Sequence, residues 1–460
     1  MEQKTDWNGK RVVILGGARQ GQAAARWLAR HGASVTVNDR RSPEEMTAAR
    51  SALAGTPVNW VLGSHPIEIL DTADMLCISG GIPLDNPLVA AAVQRGILLT
   101  NDTQIFLEVT PCRTIGITGS AGKTTTTTLV GQMAKKADDD KTFVGGNIGD
   151  PLLNYVDDMA PDALAILEIS SFQLEQMTVS PDVAVILNIT PNHLDRHGTM
   201  EAYTAAKRRI LEFQRADSTA ILNRDDNGSW NLREKVHGRL VSFGSGAFSG
   251  KQDGTFLADD TLHLRKHGVE IPLLRRDKIQ LRGEHNVMNI LAAFAIGYAA
   301  GLPLDAMLSA AEKFRGVAHR LEFVREWNGA EWYNDSIATA PERTMAAIHS
   351  FTEPIVLLLG GRDKNLPWED LAATVHQRVQ HVVLFGEAAE KIATALDRTS
   401  GPFPLTVSRC KDLQEAVQAA AKVARPGSIV LLSPGGTSFD QFYDFEERGK
   451  AFRKWVSELS

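Results

Sequence analysis

Short apolar runs alternate with helical patterns along most of the chain, and this alternation limits the possible folds more than any other feature. RVVILG at 11–16, SVTVND at 34–39 and ILLTND at 97–102 are separated by stretches of helical pattern. Parallel sheets are built in this way, because a right-handed crossover helix joins each strand to the next. The alternation therefore predicts an α/β protein with parallel sheets.

Two more alternating units follow the first. The second opens with RTIGITG after the break at Pro111 and continues with the apolar runs AILEIS and VAVILNIT. The third begins near Val317 and contains EWYNDS, PIVLLLGG, HVVLFGE and SIVLLSPGG. Because 460 residues exceed the size of one ordinary core, we predict three domains with the boundaries 1–105, 106–316 and 317–460.

The stretch near residues 217–283 has a different pattern. It contains short strands such as RLVSF, TLHLR and VEIPL, which glycine and aspartate often interrupt. This pattern predicts a small antiparallel extension of the central sheet. The strongly apolar GEHNVMNILAAFAIGYAAG that follows predicts a helix of the same domain.

Composition and charge limit the partners. A formal charge of -6 argues against a broad polyanion-binding surface, so we expect small-molecule substrates and no nucleic acid. The polar start at Met1 lacks a signal-peptide pattern, and no window reaches the roughly 18 apolar residues of a membrane span. Cys77, Cys112 and Cys410 are too few and too far apart for a disulfide framework or a zinc site. We expect a cytoplasmic monomer that does not bind membranes.

The strongest local motif is GITGSAGKTTTTT at 116–128. It predicts a strand, a glycine-containing loop and a helix, an arrangement in which backbone N–H groups face phosphate oxygens. Lys123 would supply a cation, and the Thr124 hydroxyl could ligate Mg²⁺. Ile117 stands where the commonest phosphate-loop pattern has a glycine, but the shorter form T-G-x-x-G-K-T is present. The alternative is a chance Gly-Lys-Thr turn without a ligand.

Polar residues follow two buried strands of the second unit. Glu168 ends the first, where a carboxylate is placed to hold Mg²⁺ beside nucleotide phosphates; a helix cap or a solvent-facing side chain is the alternative. The next strand leads to NITPNHLDRHG, which contains His193, Asp195 and His197. We interpret this cluster as part of a site, although a single histidine there would more often be structural.

Seven segments occur in the order found in the Mur ligase family: TGSAGKTT, GGNIG, LEISSFQLE, NHLDRHG, GEHNVMNILAA, AHRLE and LSPGGTSFDQF. Together they span nearly the whole chain, so the sequence resembles this family. SSFQLE, NHLDRHG and SFDQF resemble in particular the members that add glutamate to UDP-N-acetylmuramoyl-L-alanine. The resemblance implies an ATP-dependent ligase of cytoplasmic peptidoglycan synthesis, and hence a role in cell-wall growth, cell shape and division. D-glutamate is the expected amino acid, and an acyl phosphate is the expected intermediate.

The resemblance also implies a fold and a division of labour. A Rossmann-like N-terminal domain would bind the UDP substrate, and a P-loop ATPase-like central domain would bind ATP. A Rossmann-like C-terminal domain would close over ATP and bind glutamate.

Roles for the ATP and metal residues follow from the same resemblance. Lys123, Glu168, His193 and Lys207 would be catalytic. Asn289 would hydrogen-bond adenine, and the ATP-binding residues together would be Gly119, Ser120, Ala121, Gly122, Lys123, Thr124, Thr125, Asn289, Arg320 and Asp335. Thr124, Glu168, His193 and a carbamylated Lys207 would hold Mg²⁺. From the pattern AAKRRI alone, a solvated helix residue is the more natural interpretation of Lys207.

The first strand is followed by ILGGARQG and later by VNDRR, which superficially resemble a dinucleotide fingerprint. Ala18 stands in place of the middle glycine, so a tight strand-to-helix turn is at least as good an interpretation as an NAD site. The family resemblance implies instead that the UDP substrate binds here. Its contacts would be Arg19, Gln20, Asp39, Arg40 and Gly81, with Asn147 of GGNIG near the acyl group.

The amino-acid pocket departs from the family pattern. The resemblance assigns glutamate binding to Thr339, Lys364, Ser438 and Phe445. Where well-known members read N-D-S-K-A-T-N, this chain reads NDSIATA, so Ile337 and Ala340 replace a lysine and an asparagine. Lys364 or Arg343 could compensate for the missing cation. The preference for D- over L-glutamate is open at this point.

Other functions share parts of this pattern. Another Mur-type or a folylpolyglutamate-type amide ligase would have the same architecture with different substrates. A nucleotide-binding ATPase that forms no bond would need only the phosphate loop. ATP turnover that requires both a UDP substrate and glutamate would exclude the second alternative.

Overall fold

The computed structural model describes residues 6–246, 252–402 and 404–460. The expectation about the chain start, and part of the predicted antiparallel extension, fall on residues 1–5 and 247–251, outside the described residues. The described residues form three sheets.

The first sheet is parallel throughout, with the strand order β3-β2-β1-β4-β5. Its strands are β1 (Arg11–Leu15), β2 (Ser34–Asp39), β3 (Val58–Leu62), β4 (Met75–Ile78) and β5 (Leu98–Thr100). Its helices are α1 (Arg19–Arg30), α2 (Thr47–Ala52), α3 (Pro87–Gln94) and α4 (Asp102–Val109). Ala24, Trp27 and Leu28 give α1 one apolar face that is buried.

The second sheet has the order β14-β13-β12-β11-β10-β9-β6-β8-β7. Its strands are β6 (Arg113–Thr118), β7 (Thr142–Gly146), β8 (Leu164–Glu168), β9 (Val183–Ile186), β10 (Thr219–Asn223), β11 (Arg239–Gly244), β12 (Gly254–Ala258), β13 (Thr261–Lys266) and β14 (Val269–Arg275). The helices that accompany them are α5 (Lys123–Ala137), α6 (Ser171–Leu174), α7 (Leu194–His197), α8 (Met200–Glu212), α9 (Asn227–Trp230), α10 (Glu284–Ala300) and α11 (Leu304–Lys313). Because β6 lies between β8 and β9, its carboxyl end opens where the strand order reverses, which is where parallel sheets bind ligands.

The predicted antiparallel extension is confirmed for TLHLR and VEIPL, which lie in β13 and β14. A tight turn at His267 and Gly268, both with positive φ, joins these two strands. The prediction is wrong for RLVSF, because β11 pairs parallel with β10. The crossover through α9 and the 3-10 helix Asn231–Lys235 returns the chain in the parallel direction.

The long apolar helix is also confirmed, as α10. It packs on α5 and across β11 and β12, and Ile290, Leu291 and Phe294 are almost completely buried. Burial of each such side chain contributes about 2 kcal/mol to folding. The helix therefore fixes α5, which follows the phosphate loop, against the sheet.

The third sheet is mixed, with the order β15-β16-β20-β17-β18-β19. Only the β15–β16 pair is antiparallel among its described pairs. The strands are β15 (Glu322–Trp327), β16 (Ala330–Asn334), β17 (Ile355–Gly360), β18 (Val379–Phe385), β19 (Thr406–Arg409) and β20 (Ile429–Gly435). The helices are α12 (Pro341–Ile348), α13 (Glu369–Arg378), α14 (Ala389–Asp397), α15 (Leu413–Val423) and α16 (Phe445–Ser457).

The chain divides into two compact units. Unit 1 contains the first two sheets and comprises the residues up to Gln280 together with Glu284–Phe314; unit 2 contains the third sheet and comprises Leu281–Gly283 and Arg315–Ser460. Each unit has its own apolar core. Among the described residues, no helix is long and apolar enough to cross a membrane.

Candidate active site

The phosphate loop lies at the carboxyl end of β6. It comprises Gly119–Gly122, and α5 begins directly after it at Lys123, with Thr124 and Thr125 in its first turn. Gly122 has φ 83°, and a Cβ there would lie 2.3 Å from Oδ1 of Asn289. Only glycine therefore allows this turn and the close approach of Asn289.

Residues that follow β9 and one side chain of α8 hold the loop in place. The backbone N–H of Ala121 donates to Oδ1 of Asn188 over 2.8 Å, and the Ser120 hydroxyl donates to the Thr190 carbonyl over 2.9 Å. The Tyr203 hydroxyl donates to Ser120 Oγ over 3.0 Å. We did not predict Asn188 or Tyr203 from the sequence, and the position of Asn188 two residues after a buried strand was the available signal.

Lys123 bends back over the loop. Its Nζ donates to the carbonyls of Gly119, at 2.8 Å, and Ser120, at 3.3 Å. The ammonium group is therefore at the loop, where it can offset the charge of a bound phosphate.

Glu168, at the end of β8, forms the centre of a small polar cluster. Its carboxylate is buried, and it accepts hydrogen bonds from Thr124 Oγ1 over 2.8 Å and from Asn147 Nδ2 over 2.9 Å. Hard oxygen donors of this kind suit Mg²⁺, which commonly takes one or two protein ligands and completes its shell with water and phosphate. The described residues contain no group of three His, Cys, Asp or Glu side chains that could hold a metal. The cluster fits a metal shared with a nucleotide and does not fit a metal held by protein alone.

The two histidines of the segment after β9, His193 and His197, lie in different environments. His193 is exposed, has φ 52° and lies 5.1 Å from the Phe172 ring. Partial desolvation of its ring, together with nearby Lys123, lowers the pKa of His193, which favours the neutral form that ligates metals. His197 is buried; its Nε2 shares a hydrogen bond with Ser171 Oγ, and its Nδ1 lies 2.9 Å from a Glu175 carboxylate oxygen. Its role is therefore structural.

Lys207 lies in the interior, so the interpretation of this residue as a solvated helix residue is wrong. It is 1% exposed, and its Nζ donates to the Gly119 carbonyl over 2.9 Å and to Thr118 Oγ1 over 3.3 Å. Burial lowers the pKa of Lys207 well below its usual value, nearby Lys123 lowers it further, and Glu168 acts in the opposite direction. The protein interior thus disfavours the charged ammonium form of Lys207 relative to that of an exposed lysine.

Three of the predicted UDP contacts meet at a cleft between the first two sheets. Arg19 and Gln20, which begin α1, line it together with Asn147 and Gly149, and Arg19 Nη1 donates to the Gly149 carbonyl over 3.3 Å. The structure thus brings Arg19, Gln20 and Asn147 together.

Asp39 is less available for a ligand than expected. Burial raises its pKa, but hydrogen bonds from Arg41 and from the Gly17 N–H outweigh burial and hold the pKa at about 2. Its two oxygens already bind these partners. Arg40 and Gly81 are exposed.

Arg196 connects this region to the histidine segment, and we did not predict it. Its guanidinium donates to the carbonyls of Gly80 and Ile82 and lies 3.9 Å from the centre of the Phe172 ring. The turn that contains Gly81 is therefore fixed against α7 by charge-assisted hydrogen bonds.

In unit 2, Arg320 and Asp335 lie near each other. Arg320 is exposed, and its neighbours His319 and Leu321 have positive φ. Burial raises the pKa of Asp335 to about 7, although Ser433 Oγ donates to its carboxylate over 2.8 Å and Arg320 and Arg343 lower the pKa. The described geometry brings a buried carboxyl group and two cations to the carboxyl end of β16.

The predicted glutamate residues lie on four segments of unit 2. Lys364 Nζ donates to Thr339 Oγ1 over 3.3 Å, so these two meet. Ser438 is buried and lies three residues after β20, and Phe445 begins α16. Arg343 Nη1 donates to the Ile337 carbonyl over 3.4 Å.

Family models match three consecutive parts of the chain. They describe a Mur ligase MurD-like N-terminal domain at residues 10–101, a Mur ligase middle domain at 117–297 and a Mur ligase glutamate ligase domain at 319–436. Solved structures with the same fold include MurC from Thermotoga maritima, 18% identical with a TM-score of 0.56 over 98% of this chain and 100% of that chain. MurF from Acinetobacter baumannii is 18% identical with a TM-score of 0.56 over 96% and 93%.

Curated relatives align over nearly their full lengths. Proteins named UDP-N-acetylmuramoylalanine–D-glutamate ligase are 40% identical in Symbiobacterium thermophilum, over 98% of both chains, and 40% identical in Acidobacterium capsulatum, over 97% of this chain and 96% of the relative. The relative of that name from Pelotomaculum thermopropionicum is 38% identical over 99% of both chains. With three matching domains in this order and relatives of this similarity, the chain belongs to the Mur ligase family.

Proposed function

We propose that the chain is an ATP-dependent ligase that forms the amide bond between UDP-N-acetylmuramoyl-L-alanine and D-glutamate. The proposal is supported above all by the relatives named for this reaction, which are up to 40% identical over 98% of the chain. The cluster of Lys123, Thr124 and Glu168 at one sheet edge is consistent with it. The reaction belongs to peptidoglycan precursor synthesis, and we propose that it takes place in the cytoplasm with a monomeric enzyme.

The proposed division of labour follows the three sheets. Residues 1–105 bind the UDP part through Arg19, Gln20, Asp39, Arg40 and Gly81. Residues 106–316 hold ATP on the phosphate loop and Asn289, with Asn147 near the acyl group. Residues 317–460 contribute Arg320 and Asp335 to ATP and bind glutamate through Thr339, Lys364, Ser438 and Phe445.

In the first chemical step, the alanine carboxylate attacks the γ-phosphorus of ATP, and the bond to the ADP oxygen breaks. Lys123 offsets the repulsion between these anions and the charge that develops on the leaving ADP. The neutral amino group of glutamate then attacks the acyl carbon. The amide forms, phosphate leaves and the amine gives up a proton.

Mg²⁺ is the proposed cofactor, with Thr124, Glu168, His193 and Lys207 as candidate ligands. When bound, it would neutralise phosphate and acyl charges in both steps. A neutral Lys207 amine can add to carbon dioxide and lose a proton, which gives a carbamate. This modification would replace an amine with a carboxylate-like oxygen ligand beside Glu168, and the burial of Lys207, which lowers the pKa of its amine, favours it.

Product analysis tests the proposed function most directly. Purified protein is incubated with ATP, Mg²⁺, UDP-N-acetylmuramoyl-L-alanine and either enantiomer of glutamate, and the products are identified by mass spectrometry. We expect a UDP-linked dipeptide with D-glutamate and one ADP for each amide. ADP release that is independent of glutamate, or a product with a different amino acid, would contradict the proposal.

Replacing Lys123 with alanine tests the site independently of substrate identity. We expect Lys123→Ala to lower kcat/KM about 1,000-fold, because a cation that faces transferred phosphate stabilises the transition state by several kcal/mol. Lys135→Ala, in the last turn of the same helix and on its exposed side, is the matched control. Equal activity of the two variants in an ADP-release assay would contradict the assignment.

A further inference from the structure

A buried arginine lies close to the predicted glutamate-binding residues of unit 2. Arg448, in the first turn of α16, is 0% exposed. Burial lowers the pKa of Arg448 to about 10 and nearby Asp440 acts in the opposite direction, so the guanidinium stays charged at neutral pH. A buried charge requires several good hydrogen-bond acceptors.

Arg448 finds these acceptors on two loops. Nε and Nη2 donate to Oγ and to the carbonyl of Ser336 over 3.0 and 2.8 Å. Nη1 donates to the carbonyls of Gly436 and Thr437 over 3.1 and 3.0 Å. These acceptors are all neutral, so the planar guanidinium serves as a fork that joins the loop after β16 to the loop after β20.

Each of these loops contains a predicted glutamate contact. Ser336 lies three residues before Thr339, and Thr437 directly precedes Ser438. Ser336 Oγ also donates to the carbonyl of Phe445 over 2.8 Å. Arg448 therefore connects three of the four predicted glutamate contacts.

The loop that contains the fourth contact, Lys364, is hydrogen-bonded to Thr437, which is also an acceptor for Arg448. Thr437 exchanges two backbone hydrogen bonds of 2.9 Å with Arg362, at the start of the Lys364 loop. Gly361, which directly precedes Arg362, has φ 90°. A Cβ at this position would lie 2.2 Å from the Thr437 carbonyl oxygen and 2.9 Å from Arg448 Nη1. The absence of a side chain at Gly361 is thus a condition for the approach of Arg448.

We propose that Arg448 is a positioning residue that fixes the four glutamate-binding segments relative to one another, so that the amino-acid pocket is formed before glutamate binds. A pocket that is already ordered binds without a further loss of conformational entropy. Asp335, which directly precedes Ser336, has contacts of its own, because Ser433 Oγ donates to its carboxylate and its N–H donates to the Leu432 carbonyl. The inference rests on the proposed function, since it concerns the glutamate site of that reaction.

Arg448→Lys is the principal test, because lysine keeps the charge and cannot reproduce the fork. ADP release is measured while glutamate, ATP or the UDP substrate is varied in turn. We expect the KM for glutamate to rise about tenfold, as for a displaced binding group, while the other two KM values stay within about twofold. Gly361→Ala perturbs the same fork from the opposite side and keeps Arg448; it should show the same selective change.

Arg224→Lys is the matched control. Arg224 is also a largely buried guanidinium with a pKa lowered by burial to about 10, and it donates to Ser242 Oγ and the Gly246 carbonyl in the central domain. We expect this variant to lower the melting temperature without raising the KM for glutamate. The comparison separates loss of stability from loss of pocket geometry.

The outcomes distinguish this inference from the proposed function. If Arg448→Lys folds and its glutamate KM is unchanged, or if all three KM values rise equally, Arg448 is only structural and the inference is overturned. If that variant does not fold, Gly361→Ala decides by the same criteria. A wild-type protein without glutamate-dependent ADP release would overturn the proposed function itself, and with it the inference.

Discussion

Several predicted ligand contacts lie beside residues with a left-handed backbone. His319 and Leu321, with φ 64° and 43°, flank Arg320, and Asn365, with φ 59°, follows Lys364. His193 itself has φ 52°. This conformation costs a residue other than glycine about 1 kcal/mol or more, and it persists only where surrounding contacts impose it. Part of this strain therefore lies at or beside residues that the family resemblance assigns to ligands, whereas Asp259, Asp260, His267 and Asn328 adopt the same conformation in turns between strands.

Arg343 is the residue that we expect to replace the cation missing at Ile337. Glutamate has two carboxylates, whereas Lys364 is the one cation among its predicted contacts, and Arg343 reaches the Ile337 carbonyl. Loss of one charge-assisted hydrogen bond should raise the KM for glutamate about tenfold in Arg343→Ala. Steady-state kinetics would measure the KM for glutamate in this variant. Arg398→Ala, at an exposed arginine of the same unit, is the control. An unchanged KM would leave Lys364 as the sufficient cation.

Asp102 gives the protein a pH-dependent stability. Burial raises the pKa of this carboxyl from its ordinary value of 3.8 to about 7, and hydrogen bonds with Thr103 and Gln173 only partly offset the effect of burial. The folded state therefore holds the proton more tightly, and the contribution of Asp102 to stability falls as pH rises from about 4 to 7. Above that range the buried carboxylate is ionised and destabilising.

The variant Asp102→Asn removes this titration. Asparagine resembles the protonated acid, so we expect a change of less than about 1 kcal/mol in the free energy of unfolding at pH 5 and a stabilisation of about 1 kcal/mol or more at pH 8. Urea unfolding at the two pH values measures the difference. Glu68→Gln, at an exposed carboxyl of the same domain, serves as the control. A wild-type advantage at pH 8 would contradict the assignment.

At the scale of elements, the junction between β6 and α5 depends on one glycine. In Gly122→Ala the new Cβ would meet Asn289 Oδ1 at 2.3 Å and the backbone would keep φ 83°. We expect the loop to shift and ATP affinity to fall at least about tenfold, because its N–H groups no longer converge on phosphate. Calorimetric titration with a non-hydrolysable ATP analogue and Mg²⁺ would measure this. Thr128→Ala, also on α5, is the control. Gly131→Ala is not used, because a Cβ at Gly131 would lie 2.8 Å from the Val144 side chain.

The elements whose formation depends on residues adjacent in the sequence were predicted correctly. The strand, glycine loop and helix around Lys123 follow from adjacent residues, and the structure has them at the expected positions. The direction of β11 was predicted wrongly, because antiparallel and parallel pairing differ by a crossover that the strand sequence does not encode. Burial of Lys207 was missed for a similar reason, since AAKRRI does not reveal which face of α8 meets the phosphate loop.

Contacts between distant segments were the hardest to predict. Arg448 connects residues 336 and 437, and Arg196 connects α7 to the turn at residues 80–82. In the sequence, both look like ordinary helix arginines, because hydrogen bonds to backbone carbonyls leave no partner pattern in residue types. The resemblance supplied candidates for substrate contacts, whereas the residues that support those contacts became visible only in the structure.

At the scale of the whole molecule, the predicted UDP contacts all belong to unit 1 and the predicted glutamate contacts all belong to unit 2. The UDP substrate alone should therefore stabilise unit 1. At about 100 times its Kd we expect up to about 2.7 kcal/mol of added protection in hydrogen exchange of unit 1 amides. Unit 2 amides, which form a separate core, should exchange at unchanged rates. Equal protection in both units would contradict this assignment of the UDP site.

The tight turn at His267 and Gly268 has a practical consequence. It closes the β13–β14 hairpin at the far edge of the second sheet, and four strands separate β13 from the β6 strand that leads into the phosphate loop. Hairpin tips at a sheet margin tolerate inserted peptides well, because few tertiary interactions depend on them. An affinity tag or a fluorophore attachment peptide can thus be placed inside the chain at this tip while the catalytic edge keeps its native surroundings.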